Sequence, residues 1–168
     1  LFLAHYDFFS LKEKYSIMDN IEDISSFLKL KPIEIAKIIG RDFKKEGLNF
    51  NLIEKRLEKT LSLMKAYNIG VVFFNEETYP PLLKEIHDPP FALFYRGNAA
   101  LLQYLSFGIV GTRPPTGWGM RTSFDIAKEL AEHSLAIVSG LARGIDAYAH
   151  KGALEAKEGK TIAVLASG

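Results

Sequence analysis

Cysteine is absent from the 168 residues, which excludes disulfides and thiolate metal sites and fits a reducing cytoplasm. No apolar run approaches the roughly 20 residues that a membrane-spanning helix needs, so no membrane is expected among the partners. Leu1 to Leu3 is too short for the core of a secretory signal, and no cleavage-like small residues follow it. An excess of one charge is also missing: 21 Lys and Arg stand against 20 Asp and Glu, a net charge of +1. Nucleic-acid binding through a broad basic surface shows as a surplus that this chain lacks. Up to Pro90 there are 13 basic and 14 acidic side chains, and beyond it 8 and 6. Any nucleic-acid site therefore has to be a local placement of a few cations. His5, His87 and His133 are scattered without ligand spacing, so neither a metal nor another cofactor is expected.

What is present is an ordinary globular mixture, 48% hydrophobic and 24% charged, long enough for one domain or a small one joined to part of another. Residues 1–66 are rich in Lys, Glu, Leu and Ile, with no glycine before Gly40. Apolar residues at Ile21, Ile24, Phe27 and Leu28 have the spacing of one helix face. Pro32 can open a second helix, with Ile35, Ile38 and Ile39 inward and Gly40 ending it. From Leu52 to Tyr67, Ile53, Leu57, Leu61, Met64 and Ala66 are spaced for burial. These patterns predict a small helical bundle over 1–66. Residues 67–106 read as a connector with two short strands, Val71–Phe74 and Leu93–Arg96; the paired prolines between them are expected to break any helix.

From Phe107 the pattern changes to strand, helix, strand, helix, strand: 107–111, 119–134, 135–138, 145–158 and 161–165. All-apolar strands alternating with helices imply a parallel sheet covered on both faces. A doubly wound sheet normally continues for further strands, so 107–168 has the pattern of its first part, with the last edge and one face short of partners. The predicted fold class is α/β: a Rossmann-like parallel sheet, incomplete at its C-terminal side, preceded by a small all-helical domain.

Ligands of open parallel sheets sit beyond the carboxyl ends of the strands. Three loops leave those ends: Gly111 to Gly119, Ser139 to Asp146, and Ala166 to Gly168. The first two feed helix N-termini, which favour anions such as phosphate. The first loop has neither the spacing of a dinucleotide fingerprint nor a Walker lysine, so hydride transfer and nucleotide hydrolysis lose their usual signatures. It presents Arg113, whose fork can grip phosphate in bidentate fashion or form a surface ion pair. The second loop places small residues and Arg143 between a buried strand and a helix; Arg143 can meet phosphate or brace the two loops. Asp146 and His150 stand one turn apart on that helix and can touch, as an acid–base pair or, more in keeping with the lack of a nucleophile or metal cluster, as a cap with a polar neighbour. Trp118, between glycines, can stack on a base or cover the sheet edge, with covering favoured.

Val110-Gly111-Thr112-Arg113, Gly119, the run Ile137 to Asp146, His150, Ala153-Leu154 and Thr161 to Leu165 resemble, in order and spacing, the core of the DprA/Smf family of DNA-processing proteins. Upstream, Tyr79-Pro80, Leu83, Ile86, Asp88-Pro89-Pro90, Leu93 and Gly97 resemble the segment preceding that core. Residues 1–66 resemble the family's sterile-alpha-motif-like N-terminal module in position and helicity. The resemblance implies a cytoplasmic, non-enzymatic protein that binds single-stranded DNA without sequence preference during natural transformation. It also implies loading of the RecA recombinase and a homodimer when full length. The implied DNA or phosphate contacts are Gly111, Thr112, Arg113, Thr116, Gly119, Ser139, Gly140, Arg143 and Gly144, with Asp146 and His150 in supporting roles. The alternative on the same fold is a nucleotide-binding enzyme akin to the lysine decarboxylase-like phosphoribohydrolases.

Overall fold

The computed structural model describes residues 1–42 and 50–165. It divides into two compact units, Leu1–Gly97 and Asn98–Gly168.

In the first unit a 3-10 turn, Phe2–His5, is followed by α1 (Leu11–Asn20), α2 (Ile24–Lys29), α3 (Pro32–Ile39) and α4 (Phe50–Tyr67). Their starts are set by local chemistry. Ser10 and Glu13 form a reciprocal capping box on α1, and the Asp23 carboxylate accepts the Ser26 N–H on α2 at 2.7 Å. Pro32 opens α3, and Gly40 ends it in the left-handed conformation. Phe2, Tyr6, Phe9, Ile17, Phe27, Ile35 and Ile53 form the core. The burial expected along α4 holds at Ile53 and Leu57 but fails at Leu61, which is half exposed, and at Ala66, because the packed cluster reaches only the first half of this helix.

Strand β1 (Ile69–Phe73) pairs antiparallel with β2 (Ala92–Arg96), Val71 opposite Phe94. Phe91, Phe73 and Ala92 pack into the helical core, so this pair belongs to the first unit. Between the strands, Pro81 begins the short helix α5 (Pro81–Lys84). The paired prolines were expected to break helix here; a proline in the first turn lacks only an N–H that has no intrahelical partner anyway.

The second unit carries the α/β pattern: β3 (Ser106–Gly108), α6 (Gly117–Glu132), β4 (Ala136–Ser139), α7 (Ile145–Glu155) and β5 (Lys160–Ala163). The strands are parallel in the order β3-β4-β5, with Phe107, Ile137 and Thr161 in register. Both helices lie on one face rather than on two. When consecutive strands are added in one direction, right-handed crossovers return each helix to the same side. Ile137 is buried there with Ala127, Ala131, Ala149 and Ala153. Just past the carboxyl ends of β3 and β5, Val110 and Val164 are 75% and 60% exposed.

The two helices touch closely because Gly152 has no side chain: a Cβ there would strike the Phe124 carbonyl of α6. Gly152→Ala is therefore expected to destabilise the protein by roughly 1–3 kcal/mol, the range for overpacking against a rigid backbone. Urea unfolding of the variant measures this, and an unchanged midpoint would mean the helices can separate freely.

Candidate functional site

Loop 111–116 follows β3 and loop 140–144 follows β4, both at the carboxyl end of the sheet. They meet across a cleft of about 570 Å³ lined by Arg113, Pro114, Ala142 and Arg143. The third predicted loop, 166–168, lies outside the described residues.

The loops are tied together by one carboxylate. Asp146, only 5% exposed, accepts N–H groups from Gly111 at 3.2 Å, Gly140 at 3.2 Å and Ala142 at 3.4 Å. Its partners come from both loops, one of them 35 residues away in sequence. It does not cap its own helix: Gly144 precedes α7 without a side-chain cap. The two amides on either side of Leu141 end on the same oxygen, and Leu141 takes the left-handed conformation, φ +58°. That conformation costs a residue with a Cβ about 1–2 kcal/mol, which the clamp offsets. Gly144 completes the junction. Its φ is +90°, and a Cβ would collide with the carbonyl oxygens of Thr112 and Arg113.

The sequence-derived site residues thus fall into groups. Gly111 and Gly140 give their N–H groups to Asp146, and Gly119 gives its N–H to Thr116 Oγ1 at 3.1 Å, where Thr116 caps α6. Ser139 is buried, and its hydroxyl donates to the Ile109 carbonyl at 2.6 Å, holding β4 to β3. Thr112, Arg113 and Arg143 are exposed. Among the described residues neither guanidinium has an ion-pair or hydrogen-bond partner. The surface ion pair open to Arg113 and the bracing role open to Arg143 are therefore absent from this part of the molecule. Trp118 is 78% exposed, so it does not cover the sheet edge as expected. Two forked cations on one cleft, with no acidic side chain in its lining, suit an anion with several oxygens.

Asp146 and His150 do not form an acid–base pair; among the described residues no hydrogen bond joins them. The Thr161 hydroxyl donates its only proton to the Ile137 carbonyl at 2.8 Å. Its 2.6 Å contact with His150 Nδ1 must then be a bond donated by the ring, an assignment made from the network. Nε2 is left as a bare, buried acceptor with no partner among the described residues. Burial lowers the His150 pKa below its ordinary 6.5, against the opposite pull of Asp146. The consequence for stability has a definite sign. Above the unfolded value both states hold the ring neutral; as pH falls below it, the unfolded chain takes up a proton that the folded one resists. Stability is lost from about pH 6.5 downward until the folded ring also protonates. His150→Asn keeps a donor near the Nδ1 position without a titrating group. Its urea midpoint is expected to fall less than that of the parent between neutral and mildly acidic pH, and equal falls would remove His150 as a cause.

Among the described residues no group of His, Asp and Glu stands close enough to hold a metal ion, and no helix is long and apolar enough to cross a membrane. The residue that sequence reasoning weighed least correctly is Asp146. Its spacing suggested a helix cap, and nothing local marks it as the acceptor for a loop from another strand.

Comparison with known proteins agrees with this architecture. A family model described as DNA recombination-mediator protein A matches residues 70–168. The DNA processing protein DprA of Bacillus subtilis is 37% identical over 138 residues, which cover 80% of this chain and 46% of the relative. Protein Smf of Borreliella burgdorferi is 30% identical over 167 residues, 98% of this chain and 51% of the relative. The X-ray structure of DNA processing protein A from Streptococcus pneumoniae superposes with a TM-score of 0.66 at 30% identity, over 98% of this chain and 56% of that one. The chain spans about half the length of these relatives. With the family model matching more than half of its residues, the chain belongs to the DNA recombination-mediator protein A family, also known as DprA or Smf.

Proposed function

We propose that this chain binds single-stranded DNA without sequence preference, in DNA processing and recombination, by holding backbone phosphates in the cleft between loops 111–116 and 140–144. The observation that carries the reading is the pair of unpartnered guanidiniums, Arg113 and Arg143, on one cleft of a chain in this family. Guanidinium–phosphate bonds position a strand but carry no base information, which accounts for binding without sequence preference. Gly144 lets the two loops approach at Thr112 and Arg113, and Gly111 and Gly140 hold them together through Asp146, while Gly119 is bound by the Thr116 cap of α6. Thr116 and Ser139 contribute through α6 and the sheet rather than by direct contact.

The site is one of binding rather than catalysis. Its buried carboxylate is committed to three amides and its buried serine to a carbonyl, which leaves neither poised to attack or to move a proton. In the whole protein the bound strand is handed to the RecA recombinase in the cytoplasm, by a homodimer. These last points rest on the family, whose B. subtilis member is named for DNA processing.

The test is fluorescence anisotropy of a labelled oligo-dT strand against the chain across a salt series, with duplex as competitor. The expected result is salt-dependent binding that prefers the single strand and weakens with Arg113→Ala. An absence of binding would sink the assignment and direct attention to mononucleotides.

A further inference from the structure

Phosphate contacts alone do not tell a single strand from a duplex, because both present the same charged backbone. Something must read the unpaired bases, and one side chain stands out for that task. Trp118 is 78% exposed, the most exposed of the large apolar side chains among the described residues. An indole left in water normally finds an apolar cover, and this one has no aromatic, cationic or hydrogen-bond partner in the described part of the molecule.

The backbone that carries it is held by a helix cap. Trp118 lies inside the capped first turn of α6, where Thr116 Oγ1 accepts the Gly119 N–H at 3.1 Å. Gly119 packs that turn against α7: a Cβ there would stand 3.4 Å from Ile145 Cδ1. A Cβ at the preceding Gly117 would meet nothing within 4 Å, so the start of this turn is itself open. The loop that carries Arg113 thus runs directly into a fixed turn that carries a bare aromatic surface.

We propose that Trp118 is a base-stacking platform: while Arg113 and Arg143 hold phosphates, an unpaired base of the same strand lies on the indole. This deepens the single-strand reading and rests on it. Every base has a π-face, so stacking adds affinity without sequence preference, while bases already stacked in a duplex cannot take part. The site's substrate class is then a strand with unpaired bases, rather than duplex DNA or a phosphate-bearing small molecule.

Trp118 is the chain's single tryptophan, so its own emission reports the event. The experiment compares oligo-dT with an abasic deoxyribose-phosphate strand of equal length, reading tryptophan emission and label anisotropy in parallel. Oligo-dT is expected to quench the emission, and the abasic strand to bind roughly 10- to 100-fold more weakly without quenching, the range set by one stacked base. Trp118→Ala is expected to bring oligo-dT down toward the abasic affinity and to leave abasic binding unchanged, while Trp118→Phe recovers part of the loss. Equal affinity for the two strands, with unchanged emission and wild-type binding by Trp118→Ala, would overturn the platform. Arg113-sensitive binding in that same experiment would leave the phosphate cleft standing. If neither strand binds, the cleft and the platform fall together.

Discussion

Replacing Asp146 with alanine is expected to cost the protein about 3 kcal/mol and to disorganise both loops of the cleft at once. The size follows from what the carboxylate holds: amides of Gly111, Gly140 and Ala142, in a site where it is itself buried. A hydrogen bond to a charged group contributes roughly 1.5–3 kcal/mol. The full sum is not reached, because Gly111 and Gly140 are exposed and water can replace part of the loss. A unit of this size has a net stability of roughly 4–10 kcal/mol, so the change removes a large share of it. Leu141 would also lose the clamp that keeps it left-handed. Asp146→Asn keeps one acceptor oxygen but turns an amide donor toward other donors, so an intermediate loss is expected. Urea unfolding at neutral pH measures both variants. A midpoint for Asp146→Ala within error of the parent would show that the loops are joined by other contacts.

The second large effect concerns binding. Under the proposed function, Arg113→Ala and Arg143→Ala each remove one cation from the phosphate backbone, and the double variant is expected to bind oligo-dT about 100-fold more weakly at moderate salt. Each guanidinium taken away also lowers the slope of log affinity against log salt by about 0.7, the value for a single strand. The slope separates two explanations that affinity alone confuses. A variant that merely loosens the loops loses affinity with its slope intact, whereas removal of a phosphate-binding cation lowers both. Neither guanidinium has a structural partner in the described residues, so the substitutions are expected to leave unfolding midpoints unchanged. Full binding by the double variant would place the strand elsewhere on the protein.

Most of the elements were legible in the amino-acid sequence. Helix α3 opens at Pro32 and closes at Gly40, where the residue types require it. The buried face of α6, through Ala127 and Ala131, follows the expected helical spacing. The apolar strands and their small-residue ends marked a parallel sheet with loops at its carboxyl edge, and the separated motifs from Val110 onward were enough to point to the family. These features depend on neighbours within a turn or a strand, so a linear reading captures them.

Other features depend on which distant groups meet. That α6 and α7 share one face follows from the strand order, which periodicity does not contain. Exposure of Leu61 on α4 is decided by where the core ends. The allocation of loop amides is the clearest case. Gly111 and Gly140 stood among the phosphate contacts that the resemblance implied, and their N–H groups are given to Asp146 from α7. Each donor can be satisfied by any acceptor that packing brings within about 3 Å, and sequence spacing does not rank acceptors on different elements. The sequence alone thus determined most of the elements, the family and the arginines available to a ligand. Only the tertiary structure decided that Asp146 joins the loops, that both arginines line one cleft without a partner among the described residues, and that Trp118 is left bare.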